Sequence, residues 1–174
     1  MRKTEKTDSL LKNRHVLIVD DEPDVLEAVE EELEMCMVDK AKNYETALQY
    51  IQNYTYDIVI LDIMGVRGFK LLEQTVSKGF PTVMLTAYAL SPESLKKAIR
   101  LGAVSYLPKD KISEIRLFLE DVVLAEGNTV WKKHFERLGK YFNKKFGPGW
   151  EERDKFLKEF FAELKEAPRD PAKQ

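Results

Sequence analysis

Cysteine is nearly missing from this chain: Cys36 is the only one. No disulfide can form within it, and a reducing cytoplasm is the simplest setting. Cys36 itself is expected to be a small buried hydrophobe rather than a thiol sensor. Long apolar runs are lacking too. None approaches the ~18 residues of a membrane span, and Met1–Leu11 is charged instead of forming the apolar core of a signal peptide. A cytoplasmic protein with no membrane contact is the expectation. The net charge of −2 gives the whole chain no reason to bind nucleic acid. No internal repeat or low-complexity tract is visible.

What is present is enough for one α/β domain with an appendage: 174 residues, 44% apolar and 33% charged. The charge is uneven. Residues 127–174 hold 12 Lys/Arg against 8 Asp/Glu, which leaves 16 against 22 for the remainder. The front is acidic and the tail mildly basic.

Four short apolar runs end in polar residues. His15–Val19 runs into Asp20-Asp21, and Asp57–Leu61 into Asp62. Thr82–Leu85 runs into Thr86-Ala87, and Val104–Leu107 into Pro108-Lys109. Runs rich in Val, Ile and Leu that alternate with helical patterns read as buried parallel strands. Their carboxyl ends share one edge of the sheet, where ligands bind. Three carboxylates brought together repel unless a cation joins them, and oxygen donors suit magnesium. A lysine beside that cation points to a phosphoryl group as the bound anion.

Met37–Ala41 completes the set as a second, weaker strand, interrupted by Asp39 and Lys40. Helices are predicted after Pro23 through Val25, Val29 and Leu33, over Tyr44–Asn53, and over Phe69–Ser77. Two more are predicted, from Ser91-Pro92 to Gly102 and from Ser113-Glu114 to about Ala125. The glutamates at 27, 30, 31 and 34 read as a solvated helix face. Five strands alternating with five helices describe a doubly wound α/β sheet. The expected divisions are a flexible segment at 1–13, the α/β domain at 14–126, a helical extension at 127–166 and a polar tail at 167–174.

The constellation resembles the receiver domain of two-component response regulators. Val19-Asp20-Asp21-Glu22, Ile60-Leu61-Asp62-Ile63-Met64, Leu85-Thr86-Ala87 and Tyr106-Leu107-Pro108-Lys109 carry the resemblance, which covers about His15 to Ala125. It implies a flavodoxin-like sheet in the order 2-1-3-4-5. It also implies that Asp62 takes a phosphoryl group from a histidine kinase or phosphotransfer protein in a phosphorelay. Mg²⁺ is the implied cofactor, bound by Asp21, Asp62 and the Met64 carbonyl, with Asp20 acting mainly through water. Lys109, the Thr86 hydroxyl and the Ala87 amide are the implied phosphoryl contacts. Thr86 and Tyr106 are the implied switch residues, the aromatic turning inward after phosphorylation. One departure is plain: Met64-Gly65-Val66-Arg67-Gly68 is about two residues shorter than the usual loop and lacks its proline.

Beyond Gly127, Trp131, Phe135, Leu138 and Phe142 fall at helical spacing. Gly147-Pro148-Gly149 is a turn, and Trp150, Phe156, Leu157, Phe160, Phe161 and Leu164 mark a second amphipathic stretch. A helical hairpin follows, too short for the DNA-binding output domains of the family. It is expected to dock on the α/β domain, to pair with a second copy, or to meet a partner protein. Two other readings compete with the signalling switch. In one the basic tail binds DNA as part of a transcriptional regulator. In the other the chain is a magnesium-dependent phosphatase or phosphotransferase, although Met64 stands where such enzymes carry a general acid. No enzyme activity is expected beyond slow self-catalysed gain and loss of the phosphoryl group. Met64 and Tyr88, two residues past Asp62 and Thr86, are expected to obstruct and to orient poorly the water that hydrolyses an aspartyl phosphate.

Overall fold

The computed structural model describes residues 9–125 and 127–166; residues 1–8 and the tail at 167–174 lie outside that range. The strands are β1 (His15–Val19), β2 (Met37–Ala41), β3 (Ile58–Asp62), β4 (Thr82–Thr86) and β5 (Ser105–Pro108). All pairings are parallel, in the order β2-β1-β3-β4-β5. The sheet is therefore the doubly wound one that the sequence predicts.

Every residue of β3 and β4 is buried, which is why these segments read as unbroken apolar runs instead of alternating ones. β2 is the edge strand, and only Ala41 in it is fully buried. Its Asp39 is tolerated because His15 Nε2 (2.9 Å) and the Tyr56 hydroxyl (2.7 Å) both engage its carboxylate.

Helices α1 (Pro23–Glu32), α2 (Tyr44–Asn53), α3 (Gly68–Ser77), α4 (Pro92–Leu101) and α5 (Ile115–Leu124) follow the strands in turn. A 3-10 turn at Lys109–Glu114 precedes α5. Asn43 and Ser91 cap α2 and α4 by accepting from the backbone amides of Thr46 and Ser94, which satisfies donors at the helix start. Leu26, Val29, Ala47, Ile51, Leu71, Leu72, Leu95 and Phe118 turn into the core. Each large apolar side chain buried there contributes about 1.5–3 kcal/mol.

The expected loose segment does not reach Asn13. Leu11 is fully buried, the Asn13 amide donates to the Met35 carbonyl at 2.8 Å, and Ser9 Oγ donates to Glu120 on α5 at 2.8 Å. Cys36 packs against that segment, its thiol donating to the Leu11 carbonyl at 3.4 Å. Burial, helped by the Asp57 charge, pushes the thiol up to about 11, so it is a poor nucleophile.

The extension is a hairpin of α6 (Asn128–Phe146) and α7 (Lys155–Glu166), joined through a 3-10 turn at Trp150–Glu152. Gly147 and Gly149 take φ of 91° and 75°, a region open to glycine at little cost. Aromatic rings join α6 to α7 and to the turn between them, with Phe135–Phe161 at 4.5 Å and Phe142–Trp150 at 6.1 Å. The hairpin docks on the α/β domain. Phe142 meets Tyr106 of β5 at 6.2 Å, and His134 meets Phe118 of α5 at 4.9 Å. Lys96 of α4 pairs with Asp154 at 2.8 Å, and Asp154 also caps α7 by accepting from the Leu157 amide. Buried Asp121 of α5 is ringed by Lys133, His134 and Arg137 of α6.

Candidate functional site

Strand register assembles the site. Val19 is level with Leu61, Asp62 with Leu85, and Thr86 with Pro108. Asp20, Asp62, Thr86 and Lys109 therefore leave the sheet at one edge. The Lys109 ammonium sits among acids: 2.9 Å from Asp20 Oδ2, 3.1 Å from Glu22 Oε1 and 3.3 Å from Asp62 Oδ1. Glu22 is the contact that sequence reasoning missed. Its only signal was a third consecutive acid after β1.

The carboxylates are under strain from burial and from one another. Burial, with the charges of Asp20 and Asp21 adding to it and Lys109 opposing, pushes Asp62 up to about 7. Burial likewise outweighs Lys109 in raising Asp20. Burial pulls the Lys109 pKa down, but its contacts with Asp20, Asp62 and Glu22 win and raise it. The lysine stays charged.

The residues fit a hard divalent cation. Oxygens of Asp20, Asp21 and Asp62 lie within 4.8 Å of one another. Asp20 Oδ1 accepts from the Glu22 amide at 2.9 Å. Its buried Oδ2 has the Lys109 charge beside it but receives no well-directed hydrogen bond. A buried oxygen left so, in an all-oxygen donor set, suits Mg²⁺.

The shortened loop supports this cluster. Gly65 (φ 84°) lies so close to Asp21 that a Cβ there would stand 2.5 Å from Oδ2. A Cβ on Gly68 would fall 2.0 Å from the Asp62 carbonyl oxygen. The Gly68 amide donates to the Ile63 carbonyl at 2.9 Å, and Arg67 takes a left-handed φ of 55°. Tight glycine packing closes this turn, which contains no proline.

A cavity of about 300 Å³ opens here, lined by Asp21, Asp62, Thr86, Lys109, Met64 and Tyr88 among others. Ala87 is exposed beside it. The expected obstruction is absent. Tyr88 is 84% exposed and Met64 55%, so both stand at the rim of the cavity that they line. A larger cavity of about 380 Å³ lies at the opposite strand ends, near Arg14, Asp57 and Pro81. Its two charged lining residues, Arg14 and Asp57, pair with each other at 3.7 Å.

Thr86 Oγ1 accepts from the Ala89 amide at 3.2 Å. Tyr106 is 1% exposed. The ring is already turned inward and packs against Phe142 of the hairpin. The Tyr106 hydroxyl accepts from the Ser91 amide at 3.2 Å and contacts Ser94 Oγ.

The family model for the response regulator receiver domain matches residues 16–120. The chain belongs to this family. Relatives include the two-component response regulator ARR2 of Arabidopsis thaliana, 34% identical over 124 residues, which are 67% of this chain and 18% of that protein. The gliding motility regulatory protein of Myxococcus xanthus is 32% identical over 110 residues, 58% of this chain and 14% of that protein. The matched receiver region is thus under a fifth of either relative. Among solved structures, the chemotaxis response regulator CheY4 of Vibrio cholerae superposes with a TM-score of 0.56 at 28% identity, covering 65% of this chain and all of that one. A response regulator of Chloroflexus aurantiacus J-10-fl gives 0.58 at 29% identity, covering 66% and 100%. The family model ends at residue 120, ahead of the hairpin. Among the described residues, no receiver helix or hairpin helix is long and apolar enough to cross a membrane.

Proposed function

We propose that this receiver domain is a phosphorylation-dependent switch in which Asp62 accepts the phosphoryl group. The observation that carries the reading is the Lys109 ammonium, held between Asp20 and Asp62 beside a buried, under-bonded carboxylate oxygen. A carboxylate oxygen of Asp62 attacks phosphorus in line. The P–N bond to a donor histidine breaks, and the leaving imidazole keeps the electron pair and takes up a proton. Mg²⁺, when bound, would supply positive charge to the transferring oxygens. Asp21, Asp62 and the Met64 carbonyl would hold it directly, and Asp20 mainly through water. Lys109 exchanges its contact with Asp62 for one with a phosphoryl oxygen. Thr86 turns its hydroxyl from the Ala89 amide to another, and the Ala87 amide reaches the third.

The donor is a histidine kinase or a phosphotransfer protein, and the role is signalling, not turnover of a substrate. The DNA-binding and phosphatase readings gain no support. The aromatic faces of α6 and α7 are occupied in packing, and Met64 offers no acid. Incubation with Mg²⁺ and acetyl phosphate should add one phosphoryl group by intact mass, and Asp62→Asn should abolish the gain. Equal labelling of the Asn variant would reassign the acceptor.

A further inference from the structure

The outward face of one helical layer carries opposite charges on its two sides and leucines between them. α5 is the middle helix of that layer, packed against α1 on one flank and α6 on the other. Toward α6 it points Asp121, which pairs with Lys133 and Arg137 at 3.4 and 3.0 Å. Away from α6 it points Glu120, held by Ser9 at 2.8 Å. Leu117 and Leu124 stand between those two directions, on one stripe of the helix, and are 44% and 42% exposed. Leu10, 46% exposed, follows Ser9 beside them. A single exposed leucine means little, but three of the eight exposed large hydrophobics among the described residues gather along this one helix.

The flanking helices are charged to match each other. Asp24, Glu27 and Glu31 of α1 and Glu34 in the turn after it are exposed, at spacings of three, four and three. On α6, Arg137, Lys140 and Lys144 are exposed and Lys133 partly buried, at spacings of four, three and four. Such spacing keeps each set on one side of its helix. Glu30 is paired with Lys40 at 2.6 Å. Among the described residues, no ion pair engages Asp24, Glu27, Glu31, Glu34, Lys140 or Lys144.

We propose that a second copy of this chain docks on the α1–α5–α6 face, forming a two-fold dimer whose axis runs parallel to α5. Rotation about that axis brings Leu117 and Leu124 onto their own counterparts. It also lays acidic α1 of each copy along basic α6 of the other. α1 starts at the carboxyl edge of the sheet and α6 ends there. Asp24 therefore comes level with Lys144 of the other copy, and Glu34 with Lys133. An axis running across α5 would instead set α1 on α1 and α6 on α6, like charge on like. The charges select the first pairing, and the leucines supply the association, since exposed ion pairs contribute little singly. Nucleic acid on the α6 stripe would leave the acids and leucines of the same face unmatched. Three helices side by side, each about 10 Å wide and about 15 Å long, offer on the order of 500 Å² per copy. That is below the about 800 Å² of a standard interface, so the dimer dissociates on dilution through the micromolar range. Its formation is independent of Asp62 as phosphoryl acceptor.

Sedimentation velocity of the full chain is run in about 0.1 M and about 1 M salt, where charges are screened beyond about 10 and about 3 Å. A monomer–dimer equilibrium is expected, with Kd raised about fivefold or more by the salt. Leu117→Gln with Leu124→Gln, at exposed positions, should keep the helix content and raise Kd about tenfold or more. Glu27→Lys with Glu31→Lys should dissociate the dimer, and so, separately, should Lys140→Glu with Lys144→Glu. An equimolar mixture of those two variants should restore it, because every stripe then faces its opposite. Under mild oxidant, Leu117→Cys should link to itself; Cys36, its thiol pushed up to about 11, competes poorly. A wild-type chain that stays monomeric throughout overturns the proposal, and a random DNA duplex shifted by that monomer assigns the basic stripe to nucleic acid instead. A dimer indifferent to the leucine and charge variants, or a mixture that fails to restore it, overturns the face. A dimer in which Leu117→Cys links only to Leu124→Cys overturns the axis.

Discussion

Lys109 holds its ammonium 3.3 Å from an Asp62 carboxylate that nevertheless titrates at about 7. One lysine does not compensate burial plus two neighbouring acids. Asp62 keeps its proton more readily in the folded chain than in the unfolded one, where an aspartate titrates near 4. Its folding contribution is complete below that value and is lost as pH rises through about 7. Without metal, stability should decline from about pH 4 to pH 7. Asp62→Asn should flatten that decline and raise Tm at pH 8 by several degrees. Thermal melts in chelator across this range check it, and an Asn variant that melts lower at pH 8 would refute it.

The same proton competes with the cation. Mg²⁺ binding must displace it, so affinity should fall about tenfold between pH 8 and pH 6. Isothermal titration at the two pH values with the heat of buffer ionisation varied would count the proton released. Asp21→Asn should weaken binding more than Asp20→Asn, since Asp20 already gives one oxygen to the Glu22 amide and would reach the cation mainly through water.

Gly65 and Gly68 should separate binding from folding. Gly65→Ala presses a methyl onto the Asp21 carboxylate, a side chain that can swing, although the positive φ adds strain. Magnesium affinity should drop several-fold while the fold survives. Gly68→Ala drives a methyl into the Asp62 backbone carbonyl at 2.0 Å, which has nowhere to go. A loss of more than about 3 kcal/mol is expected by urea melt, in the range where backbone strain becomes severe. Equal stability of the two variants would mean the loop relaxes.

Much of this was readable from the chain because the informative signals are local. β3 and β4 read as apolar runs because both faces of a central parallel strand are covered, and each run stops at the residue that meets the ligand. The weak β2 is equally physical: an edge strand can keep Asp39 and Lys40 half exposed. What stayed hidden depends on contacts far apart in sequence. Glu22 meets Lys109, and Ser9 meets Glu120, with no periodicity to announce either. The aromatic spacing of α6 revealed a packing face but not its partner, since Tyr106 and Phe118 complete it only after the sheet has formed.

Asp121 should hold the hairpin in place. Burial raises its pKa, but hydrogen bonds from His134 and Arg137 outweigh burial and bring it down to about 2. The sign is opposite to that of Asp62. The contribution is present above about pH 4 and is lost as pH falls toward 2. Asp121→Asn should cost about 1.5–3 kcal/mol, the usual worth of hydrogen bonds to a charged group. It should also speed amide exchange in α6 at pH 7 without phosphorylation. An unchanged exchange pattern would show that the aromatic contacts suffice.

The lifetime of an aspartyl phosphate at Asp62 depends on water arriving in line, opposite the leaving carboxylate oxygen. Two effects can slow it, exclusion of water and failure to orient it, and the rim residues distinguish them. Tyr88 and Met64 are too exposed to seal the cavity. Neither carries the carboxylate or amide that would hold an attacking water in place. Orientation alone should therefore limit hydrolysis. Tyr88→Ala and Met64→Ala should leave the decay rate within about twofold, since they remove no barrier. Met64→Asn with Tyr88→Glu should accelerate decay at least several-fold, a gain that needs only about 1 kcal/mol at the transition state. Decay is followed by intact mass after removing the phosphodonor. Acceleration by the alanine variants would restore exclusion as the cause, and no acceleration by the polar pair would remove orientation.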